Sequence, residues 1–215
     1  MRQPTLRPPV DAGGFRVLDG LLSRPVLATL VARPENRVDR KTLEKAAGGY
    51  NGELYNTEEV RSELKGLGHV FESYSDTEVL LRSYMEWGPQ CTARFNGIFA
   101  FAVWDDARAR LFMARDRLGV KPLFYAERDG GLLFGSELKA LLAHPAVPPE
   151  IDAEGLAEVL VVGPGRTPGH GVFRGVHELK PGWWLLFERD VASSAGPGPR
   201  PVRGRLRTLP YWSLQ

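Results

Sequence analysis

Cysteine is nearly absent from this chain, which holds a single thiol, Cys91, among its 215 residues. One cysteine excludes an internal disulfide framework and leaves no set of cysteine ligands for zinc. Because Cys91 stands just before a strongly apolar run, we expect it to be a small residue of the core. The histidines lack the spacing of a metal site, so we expect no bound metal ion; they are His69, His144, His170 and His177.

Long apolar runs are absent as well. No stretch approaches the roughly 20 residues that a membrane-spanning helix needs. The opening residues, MRQPTLRPPVDAGG, also lack the apolar run of a secretory signal. We therefore expect a cytoplasmic protein with no membrane partner.

The chain also lacks a strong net charge, which is formally +2. Residues 1–47 and 191–215 each carry +4, which leaves −6 on the residues between them. The arginines of the basic ends are spaced by Pro, Gly and Val rather than by aromatic residues, and no nucleic-acid-binding motif accompanies them. We interpret both ends as solvated segments and expect no nucleic-acid partner.

From Tyr50 onward, in contrast, helix and strand signals follow in regular succession. Asn56 and Ser75 each open a pattern typical of a capping box, with Glu59 and Glu78 three residues further on. Short connections between the later strands require antiparallel pairing, and the run IFAFAVW is apolar on both faces, so a layer should cover each side of it. The pattern predicts an α+β protein with helices packed outside antiparallel sheets. The predicted strands are 69–72, 98–104, 110–115, 122–126, 132–135 and 182–188, and further helices are expected over 136–142 and 152–162.

The two ends differ from this body in composition. Residues 1–49 are broken by prolines and predict only a strand at Val26–Val31 and a short helix over 39–47. Residues 190–215 begin with a stretch rich in Pro, Gly, Ser and Arg, which predicts a flexible linker. We therefore divide the chain into an atypical amino-terminal segment, 1–49, a folded domain, 50–189, and a linker, 190–215.

Several motifs follow one another in the order and at the spacing of one known domain. They are YNGELYN (50–56), SDTEVLL (75–81), NGIFAFA (96–102), ARDRLGVKPL (114–123), FGSELKAL (134–141), RTP (166–168), FRGV (173–176), LKPG (179–182) and YW (211–212). Together they make the chain resemble the amidotransferase domain of the glutamine-hydrolysing asparagine synthetases over about 50–189 and at 211–212.

The resemblance implies a fold and an ancestral activity. The fold is the four-layer αββα sandwich of the amino-terminal-nucleophile (Ntn) hydrolases, and the activity is the hydrolysis of L-glutamine to release ammonia. In the family this ammonia passes to a second, ATP-dependent domain that amidates an activated aspartate. No Ser-Gly-Gly-x-Asp-Ser pyrophosphate loop occurs in this sequence, so we expect no cofactor here, and ATP and Mg²⁺ only in an absent synthetase domain.

The resemblance also assigns residues of a glutamine site. Asn51 and Gly52 match the pair that donates hydrogen bonds to the oxyanion, although an Asn-Gly pair alone is typical of a hairpin turn. Asp76 matches the residue that binds the α-amino group of glutamine, although a carboxylate at a helix start also suits the helix dipole. Glu53 matches a position near bound glutamine, or else is a surface carboxylate. The charged residues Arg115, Asp116, Arg117 and Lys121 match no catalytic role, and we expect ion pairs among them that shape a turn.

The family's nucleophile is a cysteine at the first position, whose own α-amino group serves as the base. This sequence begins Met1-Arg2, so we expect the domain to be inactive alone and interpret its first 49 residues as the product of a truncated or frameshifted start. The alternative is a non-catalytic protein that binds glutamine or a partner. The expected partners are L-glutamine, a separately encoded synthetase domain and, because lost strands leave unpaired sheet edges, further copies of this chain in a homo-oligomer.

Overall fold

The computed structural model describes residues 30–32, 50–105, 108–128, 131–163, 167–189 and 204–214. Within these ranges the helices are α1 (Thr57–Gly66), α2 (Asp76–Trp87), α3 (Cys91–Arg94), α4 (Leu138–Leu142) and α5 (Ala153–Ala157). A 3₁₀ turn at Gly88–Gln90 follows α2, and a π-helical turn at Glu158–Val162 follows α5. The strands are β1 (Leu30–Ala32), β2 (Tyr50–Leu54), β3 (Gly97–Asp105), β4 (Arg110–Arg115), β5 (Phe124–Arg128), β6 (Gly131–Gly135), β7 (His177–Glu178), β8 (Trp183–Arg189) and β9 (Gly204–Pro210). No helix of these described ranges is long and apolar enough to span a membrane.

The strands form two sheets. The larger sheet has the order β1-β3-β4-β8-β9, and β2 also pairs with β3; the smaller sheet has the order β6-β5-β7. The pairs described are antiparallel, as predicted, except that β1 runs parallel to β3 with Leu30 opposite Val103. A parallel pair needs a long connection, and α1, α2 and β2 all lie between β1 and β3 in the chain.

Three apolar cores show how the layers stack. One core joins α1 and α2 to one face of the larger sheet and contains Leu64 and Phe101. A second core lies between the two sheets, where Met113 of β4 and Leu132 of β6 contribute. A third joins the outer face of the smaller sheet to α4 through Leu141. The order is helix, sheet, sheet, helix, which confirms the predicted αββα sandwich.

Strand β3 is the centre of this arrangement. Successive side chains of a strand point to opposite faces, so Phe99, Phe101 and Val103 belong to the core under the helices. Ala100 and Ala102 belong to the core between the sheets. The predicted strand with two buried faces is confirmed, and it extends one residue further at each end. The short strand predicted over 69–72 is wrong, because the N–H of Glu72 binds the Glu78 side chain and not a neighbouring strand.

The two predicted helix starts differ in outcome. Ser75 precedes α2 and its side chain accepts a hydrogen bond from the backbone N–H of Thr77, as expected of an N-cap. Asn56 precedes α1 but makes no side-chain cap. Its carboxamide instead donates to the carbonyl oxygen of Arg94 and accepts from the N–H of Asn96, each at 2.9 Å. The capping box predicted there is wrong because Asn56 ties α1 to the start of β3.

The linker predicted over 190–215 is wrong in part. Gly204–Pro210 forms β9, which pairs with β8 along its whole length at the edge of the larger sheet. Edge pairing uses backbone groups, so exposed arginines do not prevent it, and Arg207 donates to Glu188 at 3.0 Å. Residues 190–203 and the helix predicted over 39–47 lie outside the described residues, and of the 1–49 segment only β1 is described.

Candidate functional site

Asn51 and Gly52 lie in the middle of β2, opposite Ala100 and Phe99 of β3. The interpretation of this pair as a hairpin turn is therefore wrong, because both residues belong to a paired strand. Gly52 leaves no space for a side chain, since a Cβ there would lie 2.1 Å from the carbonyl oxygen of Ile98. The close approach of β2 to β3 therefore requires glycine at this position, whether or not its N–H also binds a ligand.

The side chain of Asn51 faces away from the helices. Alternation along β2 places Asn51 and Glu53 on the face opposite to Tyr50 and Leu54, which contribute to the core under the helices. Asn51 is half-buried and Glu53 is exposed. No other described residue makes a hydrogen bond to the Asn51 carboxamide, so this group can serve a ligand.

Asp76 is the first residue of α2, and the fold brings it against β2. Its Oδ2 lies 3.5 Å from the backbone nitrogen of Leu54, which is the last residue of that strand. A carboxylate at this position also faces the positive end of the helix dipole. Both properties hold together, because Asp76 is half-exposed and can contact a ligand while it stays at the helix start.

Tyr50 is a residue of the site to which the sequence assigned no role. Its hydroxyl is buried and has no hydrogen-bond partner among the described residues. Burial, with the nearby Asp76 carboxylate as the second cause, raises the pKa of Tyr50 well above its ordinary value. The phenol therefore stays protonated beside Asp76. The signal in the sequence was only its position, directly before the Asn-Gly pair.

The charged turn between β4 and β5 has a structural role. The carboxylate of Asp116, which is fully buried, accepts three backbone N–H groups of residues 118–121 at 2.9 to 3.1 Å. Arg115 donates to three backbone carbonyl groups and pairs with Glu178 at 3.1 Å. The predicted shaping of the turn is confirmed, but the predicted ion pairs within the group are corrected. Asp116 binds backbone instead of cations because the tight turn presents its N–H groups inward.

Cys91 is fully buried in the core under the helices, as predicted. Burial raises the pKa of its thiol, so a reactive thiolate is disfavoured. His69 hydrogen-bonds to Glu86 at 2.7 Å. In the described part of the chain, no group of three or more His, Cys, Asp or Glu side chains could hold a metal ion.

The layering of the described elements defines the class of this domain as a four-layer αββα sandwich. Comparison with protein families then narrows the class, because residues 40–195 match the family model described as "Glutamine amidotransferase domain". The chain belongs to this family. The match begins ten residues before Tyr50, where the motifs of the sequence set in.

Two curated relatives show how far the similarity extends. The chain is 57% identical over 141 residues to asparagine synthetase (glutamine-hydrolyzing) 3 of Bacillus subtilis (strain 168), which covers 66% of this chain and 23% of that protein. It is 32% identical over 169 residues to asparagine synthetase (glutamine-hydrolyzing) 2 of the same organism, which covers 77% of this chain and 21% of that protein. The chain thus spans about a fifth of the length of these relatives. Among solved structures, the glutamine phosphoribosylpyrophosphate amidotransferase of B. subtilis matches with a TM-score of 0.46 and 19% identity, over 76% of this chain and 28% of that chain.

Proposed function

We propose that this chain is the glutamine-binding amidotransferase domain of an asparagine-synthetase-type protein. In proteins of this type such a domain takes ammonia from L-glutamine for the ATP-dependent amidation of aspartate, and this chain keeps the glutamine-binding part of that work. The observation that carries the proposal is the position of Asp76, whose carboxylate lies at the start of α2 against the strand that holds Asn51 and Gly52. The 57% identity to a glutamine-hydrolysing asparagine synthetase supports it.

Each residue of the site has a distinct task in this proposal. The Asp76 carboxylate binds the α-amino group of glutamine through a charge-assisted hydrogen bond. The Asn51 carboxamide and the Gly52 N–H donate to the oxygen of the side-chain amide, where negative charge develops during hydrolysis. Glu53 adds a second carboxylate at the exposed border of the site.

The 215 residues hold no exposed thiol that could serve as the nucleophile. The nucleophile of the family that the chain resembles is a cysteine, and Cys91, the single cysteine, is fully buried in the core. We therefore propose that this polypeptide binds glutamine without hydrolysing it, as an inactive amidotransferase domain or a glutamine-binding pseudoenzyme.

The ATP-dependent amidation belongs to a synthetase domain in this proposal and not to the amidotransferase domain. ATP and Mg²⁺ would be needed only by a synthetase domain, on the same or a separate polypeptide, and no cofactor is assigned to the amidotransferase domain. The proposed partners are L-glutamine and that synthetase domain, and the proposed location is the cytoplasm. We also propose that this chain associates with further copies of itself, which size-exclusion chromatography should show as an oligomer.

Calorimetric titration of the chain with L-glutamine tests the proposal. Asp76→Asn removes the charge opposite the ammonium group and should weaken binding about 10- to 100-fold, because a hydrogen bond to a charged group contributes about 1.5 to 3 kcal/mol. Glu59→Gln is a matched control, since Glu59 is an exposed acid in the first turn of α1. It changes a helix-start charge without touching the site and should leave the affinity unchanged. No glutamine heat from the unaltered chain, or equal losses in both variants, would refute the proposal.

An ammonia-release assay on the same sample tests the absence of hydrolysis. We expect no ammonia above the protein-free blank at saturating glutamine. Release that tracks protein concentration would show that another group acts as the nucleophile.

A further inference from the structure

The segment 71–75, which leads into α2, is held by a fully buried carboxylate. Glu78, in the first turn of α2, is 0% exposed. Its oxygens accept the backbone N–H groups of Glu72 at 3.0 Å and of Ser73 at 2.8 Å, and the Ser73 hydroxyl at 2.9 Å. The capping box predicted here, in which Glu78 would bind back to Ser75, is therefore wrong. The carboxylate holds residues that lie further upstream.

Arg61 of α1 holds the same segment through its carbonyl groups. This side chain is only 3% exposed. Its Nη1 donates to the carbonyl oxygen of Ser73 at 2.8 Å and its Nη2 to that of Ser75 at 3.2 Å, while the guanidinium lies 4.7 Å from the ring centroid of Phe71. Ser73 is thus bound through its N–H by Glu78 and through its carbonyl by Arg61.

The hydrogen bonds continue from this segment to the start of α2. The Ser73 hydroxyl accepts the backbone N–H of Ser75 at 3.2 Å, and the Ser75 hydroxyl accepts that of Thr77 at 3.1 Å. Asp76 lies between these two points and contacts β2 through Leu54. The path and direction of the chain just before Asp76 are therefore set by Arg61 and Glu78.

We propose that Arg61 and Glu78 are positioning residues of the glutamine site, which hold the Asp76 carboxylate where it meets the α-amino group of the ligand. The inference rests on the proposed function. Both side chains also stabilise the fold, because they satisfy backbone groups of the 71–75 segment, so the test must separate positioning from stability.

Two ligands separate positioning from a purely structural role. L-glutamine carries the α-amino group, and 4-carbamoylbutanoate is the same molecule with that group replaced by hydrogen. The ratio of their dissociation constants reports on the Asp76–ammonium contact, whereas a general loosening of the domain weakens both ligands alike. In the unaltered chain glutamine should bind about 10- to 100-fold more tightly than the analogue, because a hydrogen bond to a charged group is lost in the analogue.

Glu78→Gln is the decisive variant, since an amide keeps the shape but replaces one acceptor oxygen with a donor. We expect its preference for glutamine over the analogue to fall at least about fivefold, toward that of Asp76→Asn, because the hydrogen bond between Asp76 and the ammonium group is weakened but not abolished. Glu178→Gln is the matched control, because Glu178 is a buried carboxylate, 6% exposed, in the smaller sheet. It should lose stability while the preference stays unchanged.

Each result of this titration decides the inference. A fall in preference in Glu78→Gln but not in Glu178→Gln supports it. An unchanged preference in folded Glu78→Gln, together with a loss in Asp76→Asn, would overturn it and leave the proposed function standing. If the unaltered chain binds no glutamine, the proposed function fails and the inference with it. Should Glu78→Gln fail to fold, Ser73→Ala decides in the same way, because it removes the hydroxyl's hydrogen bonds to Glu78 and to the N–H of Ser75 and keeps both charges.

Discussion

Replacing Gly52 with alanine tests whether the close pairing of β2 and β3 supports the candidate site. The new Cβ would lie 2.1 Å from the carbonyl oxygen of Ile98 and 2.6 Å from the Cα of Phe99. Both are backbone atoms, so no side-chain rotation relieves the contact, and the two strands must move apart by about 1 Å to reach ordinary van der Waals separation.

The expected cost follows from two contributions. Overpacking in a closely packed region costs about 1 to 3 kcal/mol, and weakening one or two backbone hydrogen bonds between the strands costs about 1 kcal/mol each. We expect Gly52→Ala to lower the free energy of unfolding by about 2 to 5 kcal/mol, which is about 4 to 20 °C in Tm for a chain of this size.

Urea denaturation followed by tryptophan fluorescence measures this difference, and Gly66→Ala is the matched control. Gly66 is the last residue of α1, and a Cβ there meets no atom within 4 Å. That variant should be neutral or stabilised by up to about 1 kcal/mol, because alanine has the higher helix propensity. Equal stability of the two variants would show that β2 does not lie against β3 as described.

Two further predictions concern buried groups of the core under the helices. Burial raises the pKa of Tyr84 to about 12, with Arg110 opposing the shift, so the folded state keeps a proton that the unfolded state loses. The contribution of Tyr84 to stability should therefore be constant below pH 10 and fall by about 2 to 3 kcal/mol between pH 10 and 12. In urea unfolding at several pH values, Tyr84→Phe should remove this contribution, and Tyr55→Phe, at a residue that is 59% exposed, should leave it in place. Cys91→Ser places a hydroxyl in a fully buried site and should lower the free energy of unfolding by about 1 to 3 kcal/mol in the same assay. Cys91→Ala should keep the affinity for glutamine. Loss of binding in the alanine variant would show that this thiol has a functional role, in contradiction to its burial.

The sequence predicts the central layers well because their signals are local. The run IFAFAVW has apolar residues on both faces, and only a strand between two layers satisfies that pattern. The cap of α2 by Ser75 is one such signal, because its hydroxyl binds an N–H only two residues further along the chain. The αββα order follows from such elements together with the family motifs.

The parts that the sequence did not predict depend on contacts between distant residues. Strand β9 is stabilised by pairing with β8, and a composition rich in Gly, Pro and Arg hides the alternation of GRLRTLP. Glu78 stands at the spacing of a capping box, but the N–H groups of the 71–75 segment compete for its carboxylate and bind it instead. Spacing alone cannot decide such a competition.

In the candidate site, too, the residues were predicted from the sequence but their contacts were not. The resemblance assigned Asn51, Gly52 and Asp76, yet it could not show that Asp76 meets the end of β2 or that the Tyr50 hydroxyl is buried beside it. These contacts arise from the packing of α2 on the larger sheet, across about twenty residues of sequence that include all of α1.

The most direct measurement of the central claim is a nitrogen-15 NMR titration of the labelled chain with L-glutamine. The account predicts that the backbone amide signals of Asn51, Gly52, Leu54 and Asp76 shift together and saturate with one dissociation constant, while the amide of Leu132 in the smaller sheet stays in place. Saturating shifts elsewhere with these four signals unmoved, or no shifts at all, would contradict it.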